Sequence, residues 1–264
     1  MTPATRLPVL MYHRVGELRA AAEARYAITP PAFAAHMRAL ARAGHRAVDV
    51  EAVVAWLEGG AAPAEGAFLL TFDDGFRGVR EHALPVLESL GWPCTVFLVS
   101  DRIGGEDDWR RSAEPGVATY PLLAADEIRD MQGRGCAFHS HSRSHARLTT
   151  LDDGELARQL AGSRQALAGL LGREVSYLAY PYGLVDDRVE AAARAAGYRA
   201  AFSTQAGFNR PGLNRFRIRR LDVYGSDTPG ALLRKVRLGS NDGSLAGQVR
   251  YFAGRLAGRF ARGG

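Results

Sequence analysis

Two adjacent carboxylates, Asp73 and Asp74, follow the apolar run 66–70 and precede Gly75. The apolar run predicts a buried strand, and the end of such a strand is where barrel enzymes carry their chemistry. Successive strand residues point to opposite faces, so a sharp turn at Gly75 is needed to bring both carboxylates into one site. Adjacent carboxylates repel and ionise readily only beside a cation or hydrogen-bond donors. Asp-Asp-Gly is also a common turn, so this pattern alone leaves open an ordinary turn with no chemical role.

A histidine-rich segment, 139–145, contains three of the chain's seven histidines. His141 and His145 are spaced so that both can bind one ion if the intervening backbone forms a helical turn or a tight loop. One aspartate oxygen and two histidine nitrogens form an incomplete metal shell, which leaves positions for water and substrate as catalytic zinc requires. Together with Asp73 and Asp74, the segment favours a metal site over a loop of solvated histidines. His139 is not expected to be a ligand.

Short strands alternate with helices along the chain, and this alternation predicts a parallel sheet with functional loops at one rim. Asp73, His141 and Tyr182 each come just after a predicted strand, so we expect all three at the C-terminal rim. Apolar runs predict strands at 7–12, 46–48, 66–70, 94–99, 137–138, 176–180, 199–202 and 217–223. Apolar stripes at helical spacing predict helices at 30–43, 50–56, 79–90, 125–134 and 152–171.

Length and composition fit one compact domain, since the chain has 264 residues and 47% of them are hydrophobic. We expect a barrel domain over 1–235 and a basic C-terminal tail over 236–264. The tail has the pattern of an amphipathic helix, which could contact an anionic membrane surface; a helix packed on the barrel and a frayed terminus are the alternatives. Its apolar face comprises Val249, Phe252, Leu256 and Phe260.

The net charge of +6 does not indicate a nucleic-acid partner, because Lys235 is the only lysine, acidic residues are interspersed, and no nucleic-acid module is recognisable. Cys94 and Cys136 fall in predicted buried strands and have no metal-type spacing, so we expect free core thiols. The first residues lack a long apolar segment. We therefore expect a cytoplasmic protein, with membrane association through the tail as an addition.

Three segments, Thr71–Gly75, His141–His145 and Tyr180–Gly183, resemble in order and spacing the first motifs of the polysaccharide deacetylases. These form carbohydrate esterase family four, the NodB-homology domain. The opening Val9–Val15 further resembles the branch that includes bacterial poly-N-acetylglucosamine deacetylases. The resemblance implies an α/β fold, a distorted (β/α)7-8 TIM-like barrel. It also implies metal-dependent hydrolysis of the N-acetyl groups of N-acetylhexosamine units, in a glycan or in a lipid- or nucleotide-linked sugar.

The resemblance also implies roles for single residues. Asp74, His141 and His145 would hold one divalent ion, with zinc preferred and cobalt, nickel or manganese as alternatives. Asp73 would act as general base. The main-chain N–H of Tyr182 would stabilise the oxyanion.

Two further residues are candidates for contacting the substrate. Pro181, together with Tyr182, belongs to the third motif and would contact the sugar. Trp109 lies in the long loop 104–122 and could stack on a sugar ring or simply pack within the loop.

The chain departs from the family pattern in three places. Ala179 and Tyr180 stand where an arginine usually precedes Pro-Tyr-Gly, the later Asp-x-x-Asp-Trp motif is not visible, and no histidine follows His145. In a closed barrel the first and last strands are neighbours, so His13, at the end of strand one, is the candidate general acid. Hydrolysis of another amide or cyclic ureide, and sugar binding without turnover, remain alternatives.

Overall fold

A computed structural model of the protein describes residues 4–110 and 118–249. Within these residues, short strands alternate with helices. The strands are β1 (Val9–Tyr12), β2 (Arg14–Val15), β3 (Ala27–Ile28), β4 (Arg46–Ala47), β5 (Ala67–Phe72), β6 (Cys94–Leu98), β7 (Cys136–Ser140), β8 (Tyr177–Ala179), β9 (Ala200–Phe202) and β10 (Leu221–Asp222). The α-helices are α1 (Pro30–Arg42), α2 (Val50–Leu57), α3 (Leu84–Leu90), α4 (Ala125–Gln132), α5 (Asp153–Leu171), α6 (Asp187–Ala195) and α7 (Pro229–Leu238).

The main sheet is parallel, with strand order β10-β1-β5-β6-β7-β8-β9. In addition, β4 pairs with the start of β5. A single parallel bridge between Phe202 and Ile218 brings its two edge regions together. The sheet therefore curls into a half-barrel with helices around it. This architecture confirms the predicted distorted TIM-like barrel. All strand ends that carry the candidate residues lie at one rim.

Successive strand residues point to opposite faces of the sheet, and each face is covered by an apolar layer. Val9, Leu69 and Phe97 belong to one layer, to which α2 contributes Val53 and Trp56. The larger layer joins the opposite strand faces to the surrounding helices, with Leu10, Leu70, Phe72, Val96 and Phe138 among its members. The carboxylate rim is thus built on strands that are held from both sides.

The predicted strand 217–223 is wrong in its first half. Residues Arg215–Arg217 form a 3-10 turn, and only Leu221–Asp222 form a strand. Local partners take N–H groups that a ladder would need: Arg217 N–H donates to Asn214 O at 3.0 Å, and Arg219 N–H donates to Asn209 Oδ1 at 2.9 Å. Local hydrogen bonding of this kind competes with strand pairing.

Helix α7 runs to Leu238, across the domain boundary expected at residue 235. Residues 245–249 are helical, and Leu245 and Val249 are exposed. The rest of the expected amphipathic tail, including Phe252, lies outside the described residues. In the part of the chain that the structure describes, no helix is long and apolar enough to cross a membrane.

The two cysteines are free and buried, as expected. Cys94 and Cys136 are paired across β6 and β7, with their Sγ atoms 3.4 Å apart.

Candidate active site

Backbone strain marks one rim of the barrel. Four described non-glycine residues have positive φ: Asp74 (73°), Ser142 (65°), His145 (60°) and Tyr182 (60°). Such conformations cost about 1–3 kcal/mol each and persist only where the surrounding structure enforces them. All four follow the strands β5, β7 and β8, so the strain is concentrated where the sequence placed the chemistry.

The backbone turns sharply after β5, between the two aspartates. Asp73 still continues the sheet, since its N–H donates to Tyr12 O at 2.9 Å. Asp74 and Gly75 then both take left-handed conformations, with φ of 73° and 82°. A Cβ at Gly75 would lie 2.7 Å from Leu98 Cδ2, so a glycine is needed both for the turn and for the space. This turn lets adjacent carboxylates serve one site.

A tight loop, rather than a helical turn, brings His141 and His145 together. The N–H groups of Arg143 and Ser144 both donate to Gln159 Oε1 at 3.1 Å, and Gln159 belongs to α5. His145 N–H donates to Ser142 Oγ at 3.2 Å. The loop backbone is therefore held by side chains, which explains how its strained residues are maintained.

Asp74, His141 and His145 form a compact buried cluster whose ligand atoms all lie within 4.8 Å of one another. Asp74 Oδ1 is 3.4 Å from Nε2 of each histidine. His141 Nδ1 donates to Ala179 O at 2.8 Å, which directs the lone pair of Nε2 toward Asp74. Asp74 Oδ1 has no hydrogen-bond partner among the described residues. An orphaned carboxylate oxygen facing two imidazole nitrogens fits a divalent cation.

The electrostatics of the cluster also favour a cation. Burial would raise the pKa of Asp74, but His141, His145 and His13 outweigh it and leave the pKa below its ordinary value. Burial lowers the pKa of His145 to about 3, so that its imidazole is neutral near pH 7, as a metal ligand must be. For His141, burial also lowers the pKa, but Asp73 and Asp74 reverse the effect and raise it. The two carboxylates therefore favour positive charge at the cluster.

Asp73 is held by a buried arginine that the sequence analysis did not identify. Arg220 donates from Nη1 to Asp73 Oδ1 at 2.6 Å and from Nη2 to Oδ2 at 2.8 Å. Its Nε donates to Ser203 O at 3.0 Å, so the guanidinium is fixed on both sides. Burial would raise the pKa of Asp73, but Arg220 and then His141 bring it below its ordinary value. Asp73 Oδ2 lies 4.0 Å from His141 Nε2, beside the cluster.

A sequence signal for Arg220 existed. Phe216, Ile218 and Arg220 are buried, whereas Arg217 and Arg219 between them are half-buried. An arginine in phase with two buried apolar residues points inward, and a buried guanidinium needs a carboxylate partner. Arg220 thus supplies a guanidinium to Asp73 in a chain that has Ala179 and Tyr180, and no arginine, directly before Pro181. Asp222, two residues further along, accepts a hydrogen bond from Asn241 Nδ2 at 2.6 Å.

His13 lies on the same rim, directly after β1. Its ring packs edge-on against Tyr26, with centroids 5.4 Å apart. A positive charge on His13 lowers the pKa of both Asp73 and Asp74, which places it within electrostatic reach of both carboxylates. His13 therefore lies on the same rim of the barrel as the two carboxylates.

The aromatic residues of the site pack on a histidine. The His145 ring lies against Trp109, stacked at 4.6 Å and 27°, and against Tyr182, edge-on at 4.6 Å and 65°. Trp109 is half-buried, Pro181 is buried, and Tyr182 is 42% exposed. Trp109 therefore packs on His145, and residues 111–117 of its loop lie outside the described part of the chain.

The remaining histidines are not part of the cluster. His139 is buried against Tyr177, with ring centroids 4.6 Å apart. His36 is also buried and bonds to Tyr12 Oη at 3.1 Å and Asp227 O at 2.7 Å. His45 bonds to Gly66 O, and His82 is half-buried.

Replacing Arg220 by glutamine should destabilise the fold strongly, because it leaves the Asp73 carboxylate buried without a counter-ion. We expect a loss of about 3–5 kcal/mol in the free energy of unfolding at pH 7 by denaturant titration. In the wild type the lowered pKa of Asp73 stabilises the fold above its unfolded-state pKa, and this is lost as pH falls through the folded value. The difference between variant and wild type should therefore shrink as pH falls below ~4.

Arg217→Gln is the matched control, since Arg217 forms surface ion pairs with Glu190 and Asp187. Its loss should stay within about 1 kcal/mol. Equal losses in the two variants would contradict the role given to Arg220.

Comparisons with known proteins identify the family of the chain. The family model for polysaccharide deacetylases matches residues 60–201, more than half of the chain. A poly-beta-1,6-N-acetyl-D-glucosamine N-deacetylase of Staphylococcus epidermidis is 24% identical over 210 residues, covering 75% of this chain and 68% of that protein. The chain covers 66% of the length of a relative from Bacillus subtilis. The chain thus spans about two thirds of the length of these two relatives.

Two solved structures share the fold. IcaB from Ammonifex degensii has a TM-score of 0.73 and 26% identity, covering 90% of this chain and 98% of that one. Streptococcus pyogenes deacetylase PplD, solved in complex with acetate, has a TM-score of 0.76 and 20% identity, covering 89% of this chain and 99% of that one. With more than half of its length matched by the family model, the chain belongs to the polysaccharide deacetylase family.

Proposed function

We propose that the protein is a metal-dependent hydrolase that removes N-acetyl groups from N-acetylhexosamine units of a glycan or glycan precursor. The observation that carries this proposal is the position of Asp74 Oδ1, which faces the Nε2 atoms of His141 and His145 and has no hydrogen-bond partner within residues 4–110 and 118–249. Asp73 lies alongside. Membership of the deacetylase family and relatives named as N-acetylglucosamine N-deacetylases support it. Lipid-linked and nucleotide-linked sugars are included among the substrates.

Asp74, His141 and His145 are the residues that would hold one divalent ion. Their two nitrogens and one oxygen suit zinc, and cobalt, nickel and manganese accept the same donor set. When bound, such an ion supplies Lewis-acid polarisation of the acetamide carbonyl and makes a nearby water more acidic. The hydrogen bond from His141 Nδ1 to Ala179 O keeps Nε2 available as the ligand atom.

Asp73 is the residue that takes the proton from the attacking water. Arg220 binds both of its oxygens, so the carboxylate is ionised despite complete burial and its direction is fixed. A positioned carboxylate of this kind contributes typically 10²–10⁴-fold to the rate. Its neighbour Asp74 faces the histidines, and thus the two carboxylates divide base and ligand roles.

His13 is the residue that protonates the leaving amine, since histidine is the side chain that most often serves as a general acid or base. The main-chain N–H of Tyr182 is assigned to the oxyanion that forms on the acetamide. Pro181 and the Tyr182 and Trp109 rings contribute the wall beside His145 that contacts the sugar. The missing late motifs are compensated by His13 and Arg220, which supports an enzyme over a sugar-binding protein without turnover.

Acetate release is the direct test of the proposed function. Chelator-treated protein is incubated with chitohexaose or poly-β-1,6-N-acetylglucosamine and with added zinc, cobalt, nickel or manganese. We expect acetate only when metal is present. Turnover of cyclic ureides instead of acetamides, or sugar binding without any acetate, would replace this proposal by the corresponding alternative.

Loss of either histidine ligand should abolish stoichiometric metal binding. His141→Ala and His145→Ala remove one of three donors each, so we expect the metal content by mass spectrometry to fall from one per chain to near zero. His82→Ala, at a half-buried histidine outside the cluster, is the control and should keep its metal. Full metal content in folded His141→Ala or His145→Ala would remove these residues from the ligand set.

Asp73→Asn should retain metal and lose about 10²–10⁴-fold in kcat, because the amide keeps the size of the side chain and cannot accept the proton. The measurements are metal content and steady-state acetate release. If metal and activity disappear together, the roles of Asp73 and Asp74 are exchanged or shared.

His13→Ala should bind metal and substrate normally and lose turnover. The alkaline limb of the pH–rate profile should change, since that limb reports loss of the essential acid. The profile is measured for wild type and variant under the same metal loading. Wild-type turnover with an unchanged alkaline limb would exclude His13 as the acid.

A further inference from the structure

Two exposed tyrosines flank the candidate active site. Among the described residues, the large apolar side chains that are exposed are Tyr26 (47%), Tyr182 (42%), Leu245 and Val249. Both tyrosines pack edge-on against histidines of the site. Tyr26 contacts His13 at 5.4 Å and 69°, and Tyr182 contacts His145 at 4.6 Å and 65°. Two aromatic surfaces therefore stand in solvent directly beside the reacting groups.

An arginine side chain packs over the ring of each tyrosine. The Arg25 guanidinium carbon lies 5.5 Å from the ring centre of Tyr26, and that of Arg147 lies 4.4 Å from the ring centre of Tyr182. Both arginines are exposed, and neither forms an ion pair with a carboxylate of the described residues. Glu23, in the same segment as Arg25, is bound by Arg14 at 2.6 Å. The two guanidiniums thus lie at the surface beside the tyrosine rings.

The sheet order places these two pairs on different sides of the cluster. Tyr26 is attached to the end of β1 through the parallel pairing of β2 with β3, and Tyr182 follows β8. Strands β5, β6 and β7 lie between β1 and β8, and β5 and β7 carry the cluster itself. A chain-like ligand in contact with both tyrosines would therefore pass over Asp74.

We propose that the Tyr26–Arg25 and Tyr182–Arg147 pairs are two subsites for a negatively charged glycan that crosses the active site. The inference rests on the proposed function, because it names the charge and length of the substrate. Tyrosine offers an apolar face and a polar tip, which suits a sugar ring. The planar fork of arginine binds carboxylate and phosphate oxygens in a bidentate manner. Sugars on both sides of the reacting unit would carry these groups.

A short charged precursor and a charged glycan differ in how many of the two arginines they can contact. A nucleotide-linked sugar has its phosphates on one side of the hexosamine, so it can engage only one of the two arginines. A charged glycan that spans the site engages both. The effect of each arginine on binding therefore separates the two substrates.

The test measures binding by calorimetry with the Asp73→Asn chain, in which turnover is suppressed. The probes are a hyaluronan octasaccharide, its carboxyl-reduced neutral counterpart and UDP-N-acetylglucosamine, each at low and high salt. We expect the charged octasaccharide to bind about tenfold more tightly than the neutral one, and salt to reduce this difference. Arg25→Gln and Arg147→Gln should each weaken charged binding about 3–10-fold.

Arg46→Gln is the matched control, because Arg46 is exposed at the start of β4, on the opposite pole from the strand ends. It removes the same charge and should leave the affinity unchanged. Equal or undetectable affinity for both octasaccharides would overturn the inference. Preference for UDP-N-acetylglucosamine with dependence on one arginine alone would also overturn it. Charged-glycan binding by a protein that releases no acetate would overturn the proposed function and leave the subsites in place.

Discussion

The site is organised by the repulsion between two adjacent buried carboxylates. Neither Asp73 nor Asp74 can remain ionised out of water unless positive charge is brought to it. Asp73 receives that charge from Arg220, which binds both of its oxygens. Asp74 faces the nitrogens of His141 and His145, and its Oδ1 has no hydrogen-bond partner in the part of the chain that the structure describes. A fixed cation for one carboxylate and an exchangeable cation for the other would give the base and the ligand different chemistry.

The fold maintains this arrangement through backbone strain. Asp74, His145 and Tyr182 have positive φ values after three different strands, and such residues persist only where packing and hydrogen bonds enforce them. The enforcing contacts are specific: Gln159 binds the loop that carries the histidines, and Gly75 fits against Leu98. Because the strands beneath are buried on both faces, the strained loops rest on a rigid base. The stability of the barrel thus positions the chemistry.

Much of this architecture could be predicted from the sequence. The alternation of apolar runs and helical stripes indicated a parallel sheet, and the resemblance to the polysaccharide deacetylases implied a barrel. The placement of Asp73, His141 and Tyr182 after strands indicated a single rim. These predictions succeed because strand ends of a parallel sheet share one edge. The prediction of a strand over 217–223 was wrong in its first half, because Asn214 O and Asn209 Oδ1 accept hydrogen bonds from Arg217 N–H and Arg219 N–H. A strand would pair these N–H groups with a neighbouring strand. Arg220 was overlooked because its partner is distant in sequence, although its phase with Phe216 and Ile218 was visible.

The central claim is that Asp74, His141 and His145 share one cation while Asp73 stays off it and is held by Arg220. Anomalous diffraction at the zinc edge from a crystal of the zinc-loaded protein measures this directly. The account predicts a single peak, about 2.0–2.2 Å from one Asp74 oxygen and from both histidine nitrogens, with both Asp73 oxygens still paired with Arg220. A peak bound by Asp73, or no peak between the two histidines, would contradict it.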